Sequence, residues 1–176
     1  MLRIALAYGS IAGAIVISVI VGGIAANDGH GGGGSQLFGY LVMLVALSLI
    51  FVGVRQYRDK ERGGVVSFRD ALACGLAIAG VAGVIYVAVW ELYLAATDYA
   101  FMADYAAGVI EAKRDGGATD DEIASLTASM ADMEKNYANP LFRLPMTFLE
   151  IFPVGVVVSL IAAALFRNRN FLPAKA

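Results

Sequence analysis

The stretch ALACGLAIAGVAGVIYVAVWELYLAA, residues 71–96, decides the fold. It holds one charged side chain, Glu91, and no proline, and it is apolar on every face. As a helix it would be roughly 39 Å long, more than the ~30 Å hydrocarbon layer of a bilayer. A helix apolar all round has to be enclosed by lipid or by a large core. Lipid is the better fit, because three comparable blocks share the chain: Ile4 to Ala26, Leu37 to Val54 and Leu141 to Phe166. Hydrophobic residues make up 59% of the 176 residues and charged residues 16%. Soluble domains sit near 45–50% and about 25%, so the excess belongs to membrane spans. The expected fold is an all-α integral membrane protein with four transmembrane helices.

The first block also has features of a secretory signal, with Arg3 ahead of it and small residues at Gly23-Ile24-Ala25-Ala26. Its apolar run is longer than the 7–15 residues of a signal core, which favours a retained helix. Orientation follows from the basic residues. Arg3, the group Arg55, Arg58, Lys60, Arg62 and Arg69, and the trailing Arg167, Arg169 and Lys175 would all face one side. The other side has Lys113, Arg114, Lys135 and Arg143 over a longer segment. The positive-inside rule then places both termini and the 55–70 loop on the cytoplasmic side.

The connections differ in kind. Residues 27–35, with the run Gly31 to Ser35, read as a short flexible loop. Gly63-Gly64 turns the 55–70 loop, and Ser67 with Asp70 fits an N-terminal cap for the third span. The segment 97–139 is patterned. Phe101, Met102, Tyr105 and Val109 form a helical stripe that can continue the third span beyond the membrane. Gly116-Gly117 breaks it, and Thr119 with Glu122 makes a capping box. Ile123, Leu126, Met130, Met133 and Tyr137 then share one face. An extramembrane helical hairpin over about 97–139 follows.

Carboxylates inside apolar spans are costly, so Glu91 and Glu150 are the first candidates for a site. Counting inward from Ala71 and back from Arg167 puts both near one shallow level. Arg143 lies two turns from Glu150 on the same helix and is in reach of either carboxylate. A Glu91–Arg143–Glu150 polar cluster would lower the cost of each charge and hold spans three and four in register. Alternatively, the two glutamates face each other and share a proton, as a proton or cation site requires. Pro153 removes the donor for the Leu149 carbonyl and should kink the helix there.

Gly75, Ala79 and Gly83, with Ala71 ahead of them, recur every four residues in the third span, as do Gly155, Ser159 and Ala163 in the fourth; Gly9 and Gly13 mark the first. Such faces allow close helix approach in lipid and form the candidate packing face. Little else offers chemistry. His30, the single histidine, sits near Asp28 without further ligands, so no metal site is expected. Cys74, the one cysteine, reads as a packing residue. Zincin, phosphate-loop and dinucleotide motifs are absent, so no catalytic residue and no cofactor are expected. A net charge of −2 argues against nucleic acid.

Three stretches together carry a family resemblance: Phe51 to Arg58, Gly63 to Ala71, and Asn139-Pro140 through Thr147 to Gly155. They resemble an uncharacterised family of small bacterial membrane proteins, a domain of unknown function. The resemblance implies a four-span protein and carries no activity, ligand or site residue. The expected role is a non-enzymatic accessory or scaffold protein whose partners are the lipid bilayer and a membrane protein or a second copy of itself. The alternative is a small proton- or cation-coupled transporter or channel subunit using Glu91 and Glu150.

Overall fold

A computed structural model describes residues 1–26 and 36–173. The Gly31–Ser35 run, the Asp28–His30 pair and Lys175 lie outside the described residues. The elements in chain order are α1 (Leu2–Ala26), α2 (Gln36–Leu47), α3 (Leu49–Glu61), α4 (Phe68–Ala96), α5 (Phe101–Asp115), α6 (Asp120–Tyr137) and α7 (Pro140–Phe166). Four segments are long and apolar enough to cross a membrane: Leu2–Ala25, Leu37–Glu61, Phe68–Ala96 and Pro140–Phe166. The second of these combines α2 and α3. The seam is Ser48, whose hydroxyl donates to the Val45 carbonyl (2.6 Å) while the Phe51 amide bonds the Ser48 carbonyl (2.9 Å). The i→i+3 bond and the competing side chain tighten one turn without ending the span.

α4 is the organising helix. It packs most extensively on α7 and on α1, while α3 leans on α4, α7 and α1, and α2 touches α1 and α7. The α1–α4 contact depends on two glycines. A Cβ at Gly13 would lie 2.5 Å from the Ala82 carbonyl oxygen, and one at Gly9 would lie 2.6 Å from the Val81 Cβ. With no hydrophobic force between helices in lipid, this close approach supplies the dispersion contacts that hold them.

The α4–α7 contact is antiparallel and has a readable register. Gly75 faces Ser159, whose Cβ would be 2.8 Å from an added Cβ, and Gly155 faces Ala79 at 2.6 Å. Each step of four residues up α4 is thus matched by four residues down α7. Gly83 deviates slightly, receiving the ring edge of Phe148 at 2.5 Å from where its Cβ would be.

Two ends can be distinguished. At the termini end, the Met1 ammonium bonds Glu61 and the chain after α7 folds onto α3. Gly63 and Gly64 turn the chain there with φ of +62° and +86°, which side chains disfavour. Ser67 caps α4 by accepting from the Asp70 amide (3.1 Å). At the other end the hairpin α5–α6 begins, but not as an extension of α4. α4 stops at Ala96, and Asp98 and Tyr99 adopt left-handed conformations (φ 50° and 58°) before α5 starts. The stripe beginning at Phe101 therefore belongs to a separate, redirected helix. The physical reason is that Phe101 turns back to lay its ring edge-on against Trp90, with centroids 4.8 Å apart.

α6 opens with a complete capping box. The Glu122 carboxylate accepts from the Thr119 amide (2.8 Å), and the Thr119 hydroxyl accepts from the Glu122 amide (3.4 Å). These bonds hold the Glu122 carboxyl below its ordinary range, the Thr119 amide contributing most. A depressed pKa means stability that is present above the unfolded value and is lost as pH falls through the folded one. Acidifying the protein through and below the ordinary glutamate range should therefore fray the start of α6 first, seen as faster amide exchange at residues 120–123. Thr119→Ala, which keeps the backbone amide, should cost the helix about 1 kcal/mol and leave much of that pH dependence in place, whereas Glu122→Gln should remove it.

Candidate functional site

Glu91 and Arg143 form a bidentate ion pair near the hairpin end. Arg143 Nε donates to Glu91 Oε1 and Nη2 to Oε2, both at 2.7 Å. The pair obeys the same register as the glycine stripe: Glu91 lies twelve residues beyond Ala79, and Arg143 lies twelve before Gly155. Arg143 is buried, with 4% of its surface exposed, and Nη1 donates to the Tyr137 carbonyl (2.9 Å) at the end of α6. Its guanidinium also lies over the rings of Tyr99 (5.0 Å) and Tyr137 (5.7 Å). One side chain thus ties α4, α7, the end of α6 and the left-handed residue after α4. Stacking on Arg143 helps compensate the strained conformation of Tyr99.

Local sequence explains why Arg143 points there. Asn139 caps α7 by accepting from the Leu141 amide (3.0 Å), and Pro140 occupies the first turn, where its missing N–H costs nothing. Helical side chains lean toward the N-terminus, so Arg143 reaches toward the hairpin and away from Glu150. Tyr137 completes the corner: Trp90 Nε1 donates to its hydroxyl (2.7 Å). Burial is the main cause that raises the Tyr137 phenol above its ordinary pKa, so it stays protonated.

Glu150 has a different partner. The Tyr86 hydroxyl donates to Glu150 Oε2 at 2.9 Å, and no hydrogen bond joins Glu150 to Arg143 or Glu91 among the described residues. The expected three-member cluster is corrected to a pair plus a separate carboxyl, and neither carboxyl is placed against the other. The expected common depth is corrected too. Glu91 pairs with Arg143, whereas Glu150 meets Tyr86, five residues deeper on α4, and itself lies seven residues deeper on α7 than Arg143. The offset is about 8–10 Å along the helices. Counting from Ala71 and from Arg167 presumed one level for those two residues. The register of α4 and α7 puts Arg167 a full turn beyond Ala71.

In the sequence Arg58 stands out only as a charge, yet it is the largest fully buried side chain among the described residues. It is 0% exposed, and it donates to Asp59 Oδ1 (2.7 Å), the Phe171 carbonyl (2.8 Å) and the Leu172 carbonyl (2.6 Å). Its guanidinium also stacks over Phe166 at 5.2 Å. Buried Ile50, Val54 and Arg58 recur every four residues on α3, a spacing that marks Arg58 as inward-facing. Tyr86 had a similar signal, sharing a face with Ala79, Gly83 and Trp90. The chain is therefore held by a buried arginine at each end of α7, each satisfied partly by main-chain carbonyls. Arg58→Ala should release residues 167–173 from α3, giving protease cleavage after Arg167 that the parent resists. Arg58→Lys, with a compact ammonium in place of the planar fork, should protect only partly.

These features define a class: an all-helical protein with four apolar helices of membrane-spanning length and an extramembrane hairpin. The chain belongs to the family described as Protein of unknown function (DUF4199), whose profile matches residues 7–168. Comparisons with curated proteins and with solved structures give no match. Among the described residues no group of three or more His, Cys, Asp or Glu side chains converges as a metal site.

Proposed function

We propose that the protein is a non-enzymatic accessory or scaffold protein of the bacterial inner membrane, with both termini cytoplasmic and the hairpin displayed on the opposite side. The observation that carries this reading is the complete commitment of the Glu91–Arg143 pair. Both carboxylate oxygens and all three guanidinium nitrogens are used in holding helices and the hairpin. A group so engaged positions structure rather than moving protons. The hairpin supports the reading from the other side. No residue of α6 is buried, while Ile123, Leu126 and Met130 are only half-covered and Met133 is 38% exposed. This face suits a membrane-protein partner or a second copy.

The test is photo-crosslinking in native membranes from positions on α6, with the products identified by mass spectrometry. A defined neighbour joined to the Ile123–Met133 face is the expected result. A monomer without any specific neighbour would overturn the reading. The competing transport reading draws on Glu150, whose carboxyl has no ion-pair partner among the described residues. It requires a proton or cation flux in reconstituted vesicles that Glu150→Gln abolishes.

A further inference from the structure

Glu150 opens on the surface of the bundle. It lines a groove of about 590 Å³ between α2 and α7, together with Tyr40, Phe142, Met146 and Pro153 among others. Among the described residues nothing walls the groove off on its outer side: Leu141 and Leu149, which line it, are 84% and 60% exposed. A carboxyl on a lipid-facing surface of a spanning helix is expensive unless something neutralises it. Tyr86 supplies one hydrogen bond to Oε2 and no charge, and Oε1 has no hydrogen-bond partner among the described residues.

The two prolines add acceptors on the same face. Leu141, Pro145, Leu149 and Pro153 follow one another at four-residue spacing, and all four line the groove. A proline cannot donate to the carbonyl four residues earlier, so the Leu141 and Leu149 carbonyls both lose their helical donor. The groove thus combines a carboxylate and two under-bonded carbonyls with aromatic and aliphatic walls, and among the described residues no basic side chain lines it.

We propose that this groove is a lateral binding site for a lipophilic ammonium ion, a protonated amine carried on an apolar body and entering from the bilayer. The ammonium supplies N–H donors and a positive charge to Glu150 and the Leu149 carbonyl. The apolar body lies against Tyr40, Met146, Pro153 and Val154. A zwitterionic aminophospholipid fits badly, because its phosphate would enter a site made of acceptors. A second copy of this chain fits badly too, since Arg143, the one basic residue within α7, is consumed by Glu91. The proposal is independent of the scaffold reading, which concerns the hairpin.

The test is equilibrium binding of radiolabelled dodecylamine to the full-length protein in phosphatidylcholine nanodiscs, with protein-free nanodiscs as the partition baseline. Saturable binding above that baseline is expected, with dodecanol at least tenfold weaker and phosphatidylethanolamine failing to compete. Glu150→Gln, which keeps an acceptor for Tyr86, should weaken amine binding at least tenfold, and Glu111→Gln on the exposed hairpin should leave it unchanged. Met146→Trp, which fills the groove with the carboxyl intact, should also weaken it and covers the case in which the Glu150 variant misfolds. The proposal is overturned by binding no greater than in empty nanodiscs, by equal binding of dodecanol, by effective competition from phosphatidylethanolamine, or by unchanged binding in folded Glu150→Gln.

Discussion

Glu91→Ala is expected to be the most damaging single substitution in the bundle, lowering its stability by about 3–5 kcal/mol. Removal of the carboxylate leaves the Arg143 guanidinium buried, at 4% exposure, with only the Tyr137 carbonyl as hydrogen-bond acceptor. The cost is that of an unpaired charge in apolar surroundings, larger than the net value of the pair itself. The loss should spread beyond α4 and α7, because Arg143 also supports Tyr99 and the end of α6. Reversible unfolding in mixed micelles gives the magnitude, and amide exchange should show residues 97–101 loosening with it. Glu91→Asp, with a shorter reach to Arg143, should fall between the parent and the alanine variant.

The second large effect is expected at Gly155. An alanine there would place its Cβ 2.6 Å from the Ala79 Cβ, well inside contact distance, and both atoms are fixed to helix backbones. α4 and α7 must then separate along the whole stripe, which also contains the Gly75–Ser159 contact. Overpacking of this kind costs about 1–3 kcal/mol. The clash can be relieved from the other side. Ala79→Gly removes the one atom struck, so Gly155→Ala with Ala79→Gly should regain most of the lost stability. An unfolding midpoint for the double variant as low as that for Gly155→Ala would show that the clash lies elsewhere.

The four-residue spacing of small residues in α4 and α7 was legible in the sequence, because helical periodicity is a local property. The Thr119–Glu122 box and the Ser67 cap were legible for the same reason, since each is completed within one turn. The relative height of two helices is not local. Glu91 and Glu150 looked level when each was measured from its own end of a span, and only the pairing of Gly155 with Ala79 reveals the offset. The enclosure of Arg58 was hidden because two of its three hydrogen-bond partners, the carbonyls of Phe171 and Leu172, are main-chain groups more than a hundred residues away. The break after Ala96 was hidden for a related reason. Its left-handed residues are Asp98 and Tyr99 rather than glycine, and Tyr99 is supported by a cation from α7.

The Glu91–Arg143 pair acts as a structural clamp that holds α4 and α7 in register. A double-mutant cycle with Glu91→Met and Arg143→Met tests it most directly, read as unfolding free energy in micelles. The expected result is a coupling energy of about 2–3 kcal/mol, with the double variant more stable than either single one because neither charge is left alone. Effects that add to within about 0.5 kcal/mol would contradict the clamp and show that the two side chains act independently.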